Sequence, residues 1–326
     1  MSLDLESIAN TFFQQNLGPG INLALYEKGV WISYSKGLAG DGNILANSDI
    51  YYDIASLTKT VTATQILLLI QQNSLGLNDQ AGEFLSFLKG FKVSIRDLLC
   101  HCSGLRHITP IEKNREYSIN EIDSILFKAE NLEQVENYKT KYTDLGYVYL
   151  GKIIEKITNL DLAQNLSNFL EKYELSGIIY NPYGLCIAPS EKSLKLGVCM
   201  DEKARFAAGF SGHAGLFASL NGLKWYCQAW LSNSFNLGKN LWHSSFNPQN
   251  RNLGDRAENY GFVWRLGYLS KFPNHSGYTG SSIFLDFKSQ RALVYNCNYT
   301  FPYRDLSKRT RFIEFGQYVG RLFEQV

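Results

Sequence analysis

The chain has 326 residues, of which 45% are hydrophobic, and its 32 basic and 30 acidic residues give a net charge of +2. A chain of this length can bury a large core in one or two domains. The near-neutral charge and the lack of basic runs argue against a nucleic-acid partner, and no apolar stretch reaches the roughly 18 residues that cross a bilayer. We therefore expect a soluble globular protein without a membrane span.

The N-terminal segment, residues 1–15, is acidic and has the pattern of a helix. It lacks the order of a basic region followed by an apolar one that marks a secretion signal, so we interpret the chain as cytoplasmic. Residues 20–39 then predict two strands joined by a turn at Glu27-Lys28-Gly29.

Ser56 and Lys59 lie at the junction between a β-rich segment and a long apolar helix. Free backbone N–H groups at a helix start favour developing negative charge, and positions i and i+3 share one face. A lysine removed from water there could act as a base or polarise the serine hydroxyl. The alternative is a helix cap beside a solvated lysine. The spacing alone is weak evidence, because Ser86 and Lys89 repeat it between two glycines.

Helical periodicity dominates from Ser56 to about Arg205, with helices predicted in 94–104, 118–132 and 145–159. Strands are predicted again in 261–270, 281–289 and 291–300, followed by a C-terminal amphipathic helix in 310–326. We expect an α/β (α+β) fold: an antiparallel sheet flanked by helices, with a large inserted all-helical subdomain. The single domain, 1–326, would comprise an α/β subdomain (1–55 and 206–326) and a helical subdomain (56–205).

The six cysteines show no disulfide spacing, and a chain of this size does not need disulfides, so we expect free thiols. Cys100, His101, Cys102 and His107 lie close together in sequence. Zinc sites usually separate paired cysteines by two or more residues and add a second pair elsewhere. We therefore expect no metal and no cofactor.

Five segments in order resemble the serine β-lactamase and penicillin-binding-protein superfamily, in particular its class C-related branch, which also holds esterases and D-amino-acid-specific peptidases. The segments are YDIASLTK (52–59), IRDLLCHCSGL (95–105), YTDLGYVYLGKIIE (142–155), SGHAGLFAS (211–219) and HSGYTGSSIFLDF (275–287). The resemblance implies that Ser56 is the nucleophile and that Lys59 and Tyr142 handle its proton.

Asp144 stands where lactamases usually have asparagine, and esterase-like members of the branch are similar here. A carboxylate at this position could hold Lys59 charged, which would favour lysine as an electrostatic partner and Tyr142 as the base. Near an ammonium group the phenolate form of tyrosine is favoured.

His275-Ser276-Gly277 stands in place of the family's Lys-Thr-Gly motif, and the resemblance implies that the backbone N–H of Tyr278 joins that of Ser56 as an oxyanion hole. The register Tyr278-Thr279-Gly280 is an alternative. A mostly neutral imidazole at position 275 would anchor a substrate carboxylate weakly, so we expect a preference for uncharged esters or small amides over β-lactams. We interpret His213 as orienting a loop, with a role in a catalytic triad as the alternative.

We expect a serine hydrolase of carboxylesterase or small-amide type acting through an acyl-enzyme. The alternatives are a class C-like β-lactamase, a D-Ala-D-Ala carboxypeptidase or D-aminopeptidase, or a slowly deacylating β-lactam-binding protein. An α/β-hydrolase is disfavoured because no Gly-x-Ser-x-Gly motif occurs. The expected partner is a small ester, amide or β-lactam substrate, and the sequence does not predict an oligomeric state.

Overall fold

The computed structural model describes residues 3–108, 118–135, 139–207, 209–250 and 259–325. Its helices, in chain order, are α1 (Leu5–Gln14), α2 (Thr58–Gln71), α3 (Ala81–Phe84), α4 (Ile95–Leu99), α5 (Ile119–Phe127), α6 (Leu145–Thr158), α7 (Leu162–Lys172), α8 (Glu202–Phe206), α9 (Leu220–Leu231), α10 (Lys239–Ser244) and α11 (Leu306–Gln325). Its strands are β1 (Gly20–Glu27), β2 (Val30–Gly37), β3 (Tyr52–Asp53), β4 (Leu105–His107), β5 (Leu132–Gln134), β6 (Ile178–Tyr180), β7 (Leu216–Ala218), β8 (Asn259–Tyr260), β9 (Arg265–Leu266), β10 (Asn274–Ser276), β11 (Ser282–Asp286) and β12 (Arg291–Cys297).

The first hairpin follows from its two turn residues. Lys28 and Gly29 both have positive φ, 54° and 82°, as a two-residue turn that matches the twist of the strands requires. Glu27 pairs with Val30 across this turn, and β1 and β2 stay in register from there to Gly20 and Gly37. The predicted hairpin is confirmed.

The central sheet combines strands from both ends of the chain. Its order is β2-β1-β12-β11-β10-β9-β8, and every pair is antiparallel. Strands β11 and β12 are buried along their whole length because helices cover both faces. Apolar side chains of α1 and α11 pack on one face, and α9 packs on the other. The expected helix-flanked antiparallel sheet is confirmed.

Helix α2 lies in the interior of the helical region. Its first eleven residues, Thr58 to Leu68, are all buried, and α6 packs against it while α4 packs on α6. A helix that is buried on all sides suits a mainly apolar sequence, which explains why amphipathic periodicity is weak here. This packing brings the start of α2 next to the start of α6.

Several predicted elements differ from the structure in detail. Residues 261–270 form a turn followed by the short strand β9, not one long strand, and the helix expected in 94–104 ends at Leu99. The region between 56 and 205 is mainly helical, but it also contains the β4-β5 pair and strand β6, which joins β7 and β3. The division into an α/β and a helical subdomain stays a prediction. Its expected boundary at 205/206 lies within α8.

In the described part of the chain, no helix combines the length and apolarity that a bilayer crossing demands. All six cysteines are free, and Cys186 is exposed while the other five are buried.

Candidate active site

Ser56 lies in a tight turn between β3 and α2. Ala55, immediately before it, has a φ of 42°, a left-handed conformation that is unusual for a residue with a side chain. The buried Asp53 carboxylate holds the turn by accepting the N–H of Ala55 at 2.8 Å and that of Met200 at 2.7 Å. Burial raises the pKa of Asp53 to about 6, and these two hydrogen bonds limit the rise. Local strain at this turn is therefore held in place by fixed contacts.

Lys59 is completely buried and points at Ser56. Its Nζ donates to Ser56 Oγ at 2.9 Å, to Asp144 Oδ1 at 2.8 Å and to the carbonyl oxygen of His213 at 3.3 Å. Burial alone would lower the pKa of this ammonium, but the charge of Asp144 and the Tyr142 hydroxyl raise it above its usual value. The alternative of a solvated lysine is therefore wrong, and Lys59 is charged.

Asp144 comes just before α6 and binds two lysines at once. Its Oδ1 accepts from Lys59, and its Oδ2 accepts from Lys203 Nζ at 2.6 Å. Burial would raise the pKa of this carboxyl, but the two ammonium groups hold it well below its usual value. Asp144 is thus a permanent carboxylate next to Lys59 and does not face the cavity described below.

Tyr142 lies over the two buried cations. The Lys59 Nζ is 5.0 Å from the centre of its ring, and the Arg265 Cζ is 4.8 Å from it. The His101 ring packs on Tyr142 at 4.5 Å between centroids, and burial followed by the nearby Lys59 lowers the pKa of His101 to about 3. The Tyr142 ring thus lies next to both buried cations and at the wall of the cavity that Ser56 also lines.

Gly277 lets strand β10 approach the nucleophile turn. A Cβ atom at Gly277 would lie 2.2 Å from the carbonyl oxygen of Ile54, so only glycine fits. The Thr279 hydroxyl donates to the carbonyl oxygen of Asp53 and ties the two segments together. Ser56 and Tyr278 both line the cavity, and among the turns and loops of the described residues the N–H of Tyr278 donates to no backbone acceptor.

His275 does not line the cavity that contains Ser56, whereas Ser276, Gly277 and Tyr278 do. The imidazole is buried, with its ring centre 6.3 Å from that of Tyr142. Burial and then Arg265 lower the pKa of His275 well below its usual value, so the ring is neutral at physiological pH. The structure thus places His275 behind Tyr142 and not at the expected position for anchoring a substrate carboxylate.

His213 lies behind Lys59 and also away from the cavity lining. Its Nε2 is 2.8 Å from Oδ1 of Asp201, the residue that caps α8, and its backbone carbonyl accepts from Lys59. This placement agrees with the interpretation of His213 as a residue that orients a loop.

The other candidate clusters are not arranged for chemistry. Ser86 and Lys89 are both exposed, so the second Ser-x-x-Lys sequence lacks the burial that activates Lys59. In the 100–107 segment, Cys102 Sγ contacts the hydroxyl of Thr140, while Nδ1 of His101 accepts the N–H of Thr143. These groups act in packing around the segment that carries Tyr142.

The cavity beside Ser56 has a volume of about 850 Å³, and basic side chains form part of its lining. Tyr142 and other aromatic side chains form much of its wall. No carboxylate of the described residues lines it, whereas five cationic side chains do: Arg106, Lys139, Lys141, Arg265 and Arg309. Arg265 is buried and the other four are exposed at the rim, where Arg106 is paired with Glu133 at 2.7 Å.

These five basic residues could not be predicted as a group from sequence, because they come from segments that only the fold brings together. Lys203 was missed for the same reason. In a chain with 32 basic residues, these six lysines and arginines do not stand out by type or spacing.

The profile of the Beta-lactamase family matches residues 9–317 of this chain. A protein of Salmonella agona (strain SL483) named "Putative D-alanyl-D-alanine carboxypeptidase" is 26% identical over 302 residues, which cover 77% of this chain and 70% of that protein.

Solved structures share the fold at low sequence identity. The D-amino acid amidase of Ochrobactrum anthropi SV3 has a TM-score of 0.76 at 19% identity and covers 99% of this chain and 100% of its own. The octameric penicillin-binding protein homologue of Pyrococcus abyssi has a TM-score of 0.76 at 18% identity, covering 99% and 82%. EstCE1, a hydrolase with promiscuous acyltransferase activity, has a TM-score of 0.73 at 14% identity, covering 96% and 97%. The expected resemblance is confirmed: this chain belongs to the Beta-lactamase family and is a serine hydrolase with that fold.

Proposed function

We propose that the chain hydrolyses small esters or amides through an acyl-enzyme on Ser56. The observation that carries this proposal is the 2.9 Å hydrogen bond from the buried Lys59 to Ser56 Oγ at the wall of a cavity that Tyr142 also lines. A serine hydroxyl held by a buried cation and close to a second proton-handling group has the arrangement of an activated nucleophile.

In the proposed mechanism, Ser56 Oγ attacks the substrate carbonyl carbon while Tyr142 accepts the serine proton. Lys59 stays protonated, because Asp144 holds its charge, and its hydrogen bond orients Ser56 Oγ for the transfer. The N–H groups of Ser56 and Tyr278 stabilise the oxyanion. Tyr142 then returns the proton to the leaving group, and a water molecule releases the acyl group by the reverse sequence.

The charge of the cavity favours substrates that carry a carboxylate. Five cationic side chains and no described carboxylate line it, and a cleft with one sign of charge concentrates ligands of the opposite sign. The sequence predicts uncharged substrates from the neutral His275, whereas in the structure the buried Arg265 lines the cavity and His275 does not. Among the alternatives, a carboxypeptidase-like activity on a free carboxyl terminus therefore has specific support, in line with the name of the Salmonella relative.

Burst kinetics test the acyl-enzyme. With p-nitrophenyl acetate, we expect a rapid release of nitrophenol in proportion to enzyme concentration, followed by a slower steady rate if deacylation is slow. Ser56→Ala should abolish both phases, whereas the matched control Ser86→Ala should keep both. Hydrolysis that survives in Ser56→Ala would contradict the proposal.

A matched pair of substrates tests the preference for anions. The mono-p-nitrophenyl ester of succinate, which carries a carboxylate, should have a kcat/KM about tenfold or more above that of p-nitrophenyl butyrate at low salt. The ratio should fall as salt screens the rim charges. An equal or higher rate with the neutral ester would show that the cavity charge does not select substrates.

A further inference from the structure

Lys203 contacts Asp144, the partner of Lys59, but does not line the cavity at Ser56. It lies in the first turn of α8, and its Nζ is 2.6 Å from Asp144 Oδ2, while Lys59 holds Oδ1 at 2.8 Å. A salt bridge this short, with both side chains mostly buried, is poorly screened by solvent. The acyl-enzyme mechanism uses Lys59 and Asp144 but gives Lys203 no part.

Lys59 and Lys203 each bind one oxygen of the Asp144 carboxylate. Because Lys203 binds Oδ2, only Oδ1 is available to Lys59, whose remaining donors reach Ser56 Oγ and the His213 carbonyl. Without Lys203, both carboxylate oxygens could draw the Lys59 ammonium away from Ser56. Such a shift would weaken the hydrogen bond from Lys59 to Ser56 Oγ.

Lys203 also balances the charge of the buried cluster. Lys59 and Lys203 contribute two positive charges, and Asp144 and Asp201 contribute two negative ones, so these four groups sum to zero. Loss of Lys203 would leave one net negative charge, which favours the protonated form of every nearby group. The groups that face this cluster from the elements packed around it are Tyr142, His213, His101, His107, His275, Arg265, Asp53 and Cys199.

We propose that Lys203 is a positioning residue for the Ser56 reaction: it fixes Asp144 and supplies the second positive charge, so that Lys59 stays hydrogen-bonded to Ser56. This inference rests on the proposed acyl-enzyme function. It predicts that the charge of Lys203, more than its volume, sets both the rate and the pH dependence of acylation.

The test is the pH profile of kcat/KM for p-nitrophenyl acetate in the full-length protein and three variants. Lys203→Met should lower kcat/KM by about tenfold or more and move the ascending limb of the profile to higher pH by about one unit, because groups that must lose a proton hold it more tightly. Lys203→Arg, which keeps the charge, should retain the parent profile. The control Lys152→Met removes an exposed lysine that pairs with Glu155 on α6 and should also retain it.

A rescue experiment separates charge from packing. Lys203 and Asp144 line a second cavity of about 270 Å³ behind Tyr142, which has room for a small amine. Ethylammonium should restore activity to Lys203→Ala, and ethanol should not. Equal rescue by both, or by neither, would contradict the role of the charge.

The outcomes distinguish this inference from the proposed function. If the parent shows hydrolysis that depends on Ser56 but Lys203→Met keeps the parent pH profile, the role of Lys203 is refuted and the acyl-enzyme stands. If Ser56→Ala hydrolyses the ester as fast as the parent, the acyl-enzyme proposal fails first, and the inference fails with it. Should Lys203→Met not fold, as judged by circular dichroism, Lys203→Gln carries the same test, since it removes the charge and keeps a hydrogen-bonding side chain.

Discussion

Lys59 is the residue whose surroundings decide how Ser56 can be activated. The sequence left two roles open, a neutral base or a charged partner, because only the position of Asp144 distinguishes them. The structure places that carboxylate 2.8 Å from Lys59 Nζ, and the pKa of the lysine is raised despite its burial. Proton acceptance therefore falls to Tyr142 in the proposed mechanism.

Lys59 and Tyr142 should act as a unit. Lys59→Ala and Tyr142→Phe should each lower kcat/KM by about 10²-fold or more, the scale of a positioned acid or base. The double variant should lose much less than the product of the two, because Tyr142 without Lys59 is a poor acceptor. Multiplicative losses in steady-state kinetics would show that the two side chains act independently.

Arg265, and not His275, should govern selection of carboxylates. Since the pKa of His275 lies well below its usual value, its imidazole stays neutral from about pH 5.5 to 8. The ratio of kcat/KM for the anionic and neutral esters should therefore show no titration of His275 over that range. Arg265→Gln should lower the ratio about tenfold, and Arg265→Lys should preserve most of it. A ratio unchanged in Arg265→Gln would remove Arg265 from substrate recognition.

Asp53 should make stability depend on pH. Its folded pKa of about 6 lies above the unfolded value of about 3.9, so the native state binds more protons between these limits. The contribution of Asp53 to the free energy of unfolding therefore falls as pH rises through that window, by up to about 3 kcal/mol. Urea unfolding of the parent and of Asp53→Asn, at several values from pH 4 to 7, measures the free energy of unfolding of each. The stability of the variant relative to the parent should increase as pH rises. Parallel stability curves would contradict the raised pKa.

At the scale of elements, the site depends on how closely β10 approaches the turn before α2. That contact is set by Gly277 and by the Thr279 hydroxyl on the Asp53 carbonyl. It places the N–H of Tyr278 beside Ser56 in the proposed oxyanion hole. The sequence indicated the glycine through the family motif, but the distance that requires it is visible only in the structure.

Gly277→Ala should separate β10 from the nucleophile turn, because the new Cβ would lie 2.2 Å from the Ile54 carbonyl oxygen. We expect kcat to fall by about 10²-fold or more, the loss typical of a displaced oxyanion donor. Gly42→Ala, where no atom lies within 4 Å of the added Cβ, is the control and should leave kcat unchanged. Equal kcat values in the two variants would show that the approach of β10 is not needed.

Elements that are determined by neighbouring residues could be predicted from sequence. Elements that are determined by packing against distant segments could not. The β1-β2 hairpin follows from the two turn residues Lys28 and Gly29, and it appears as predicted. The segment 261–270 reads as one strand, yet Gly261 donates to the carbonyl of Trp264 and forms a turn there. A Cβ at Gly261 would lie 2.2 Å from the Ser245 carbonyl, so packing against a distant segment fixes this bend.

At the scale of the whole molecule, the site is assembled from three separated parts of the chain. Ser56 and Lys59 come from the start of α2, Tyr142 and Asp144 from the segment before α6, and Gly277 from the end of β10. The family motifs allowed these residues to be proposed from sequence. Lys203 and Arg265 belong to no sequence motif. Their positions near the site, like the grouping of basic side chains around the cavity, depend on which segments the fold brings together.

The central claim is that Ser56 is the nucleophile, and intact-mass analysis after exposure to a fluorophosphonate tests it most directly. The parent and Ser86→Ala should each gain the mass of one phosphonyl group, and digestion should locate it on the peptide that contains Ser56. Ser56→Ala, with an unchanged circular dichroism spectrum, should gain none. A modification that persists in Ser56→Ala, or one located on another serine of the parent, would contradict the account.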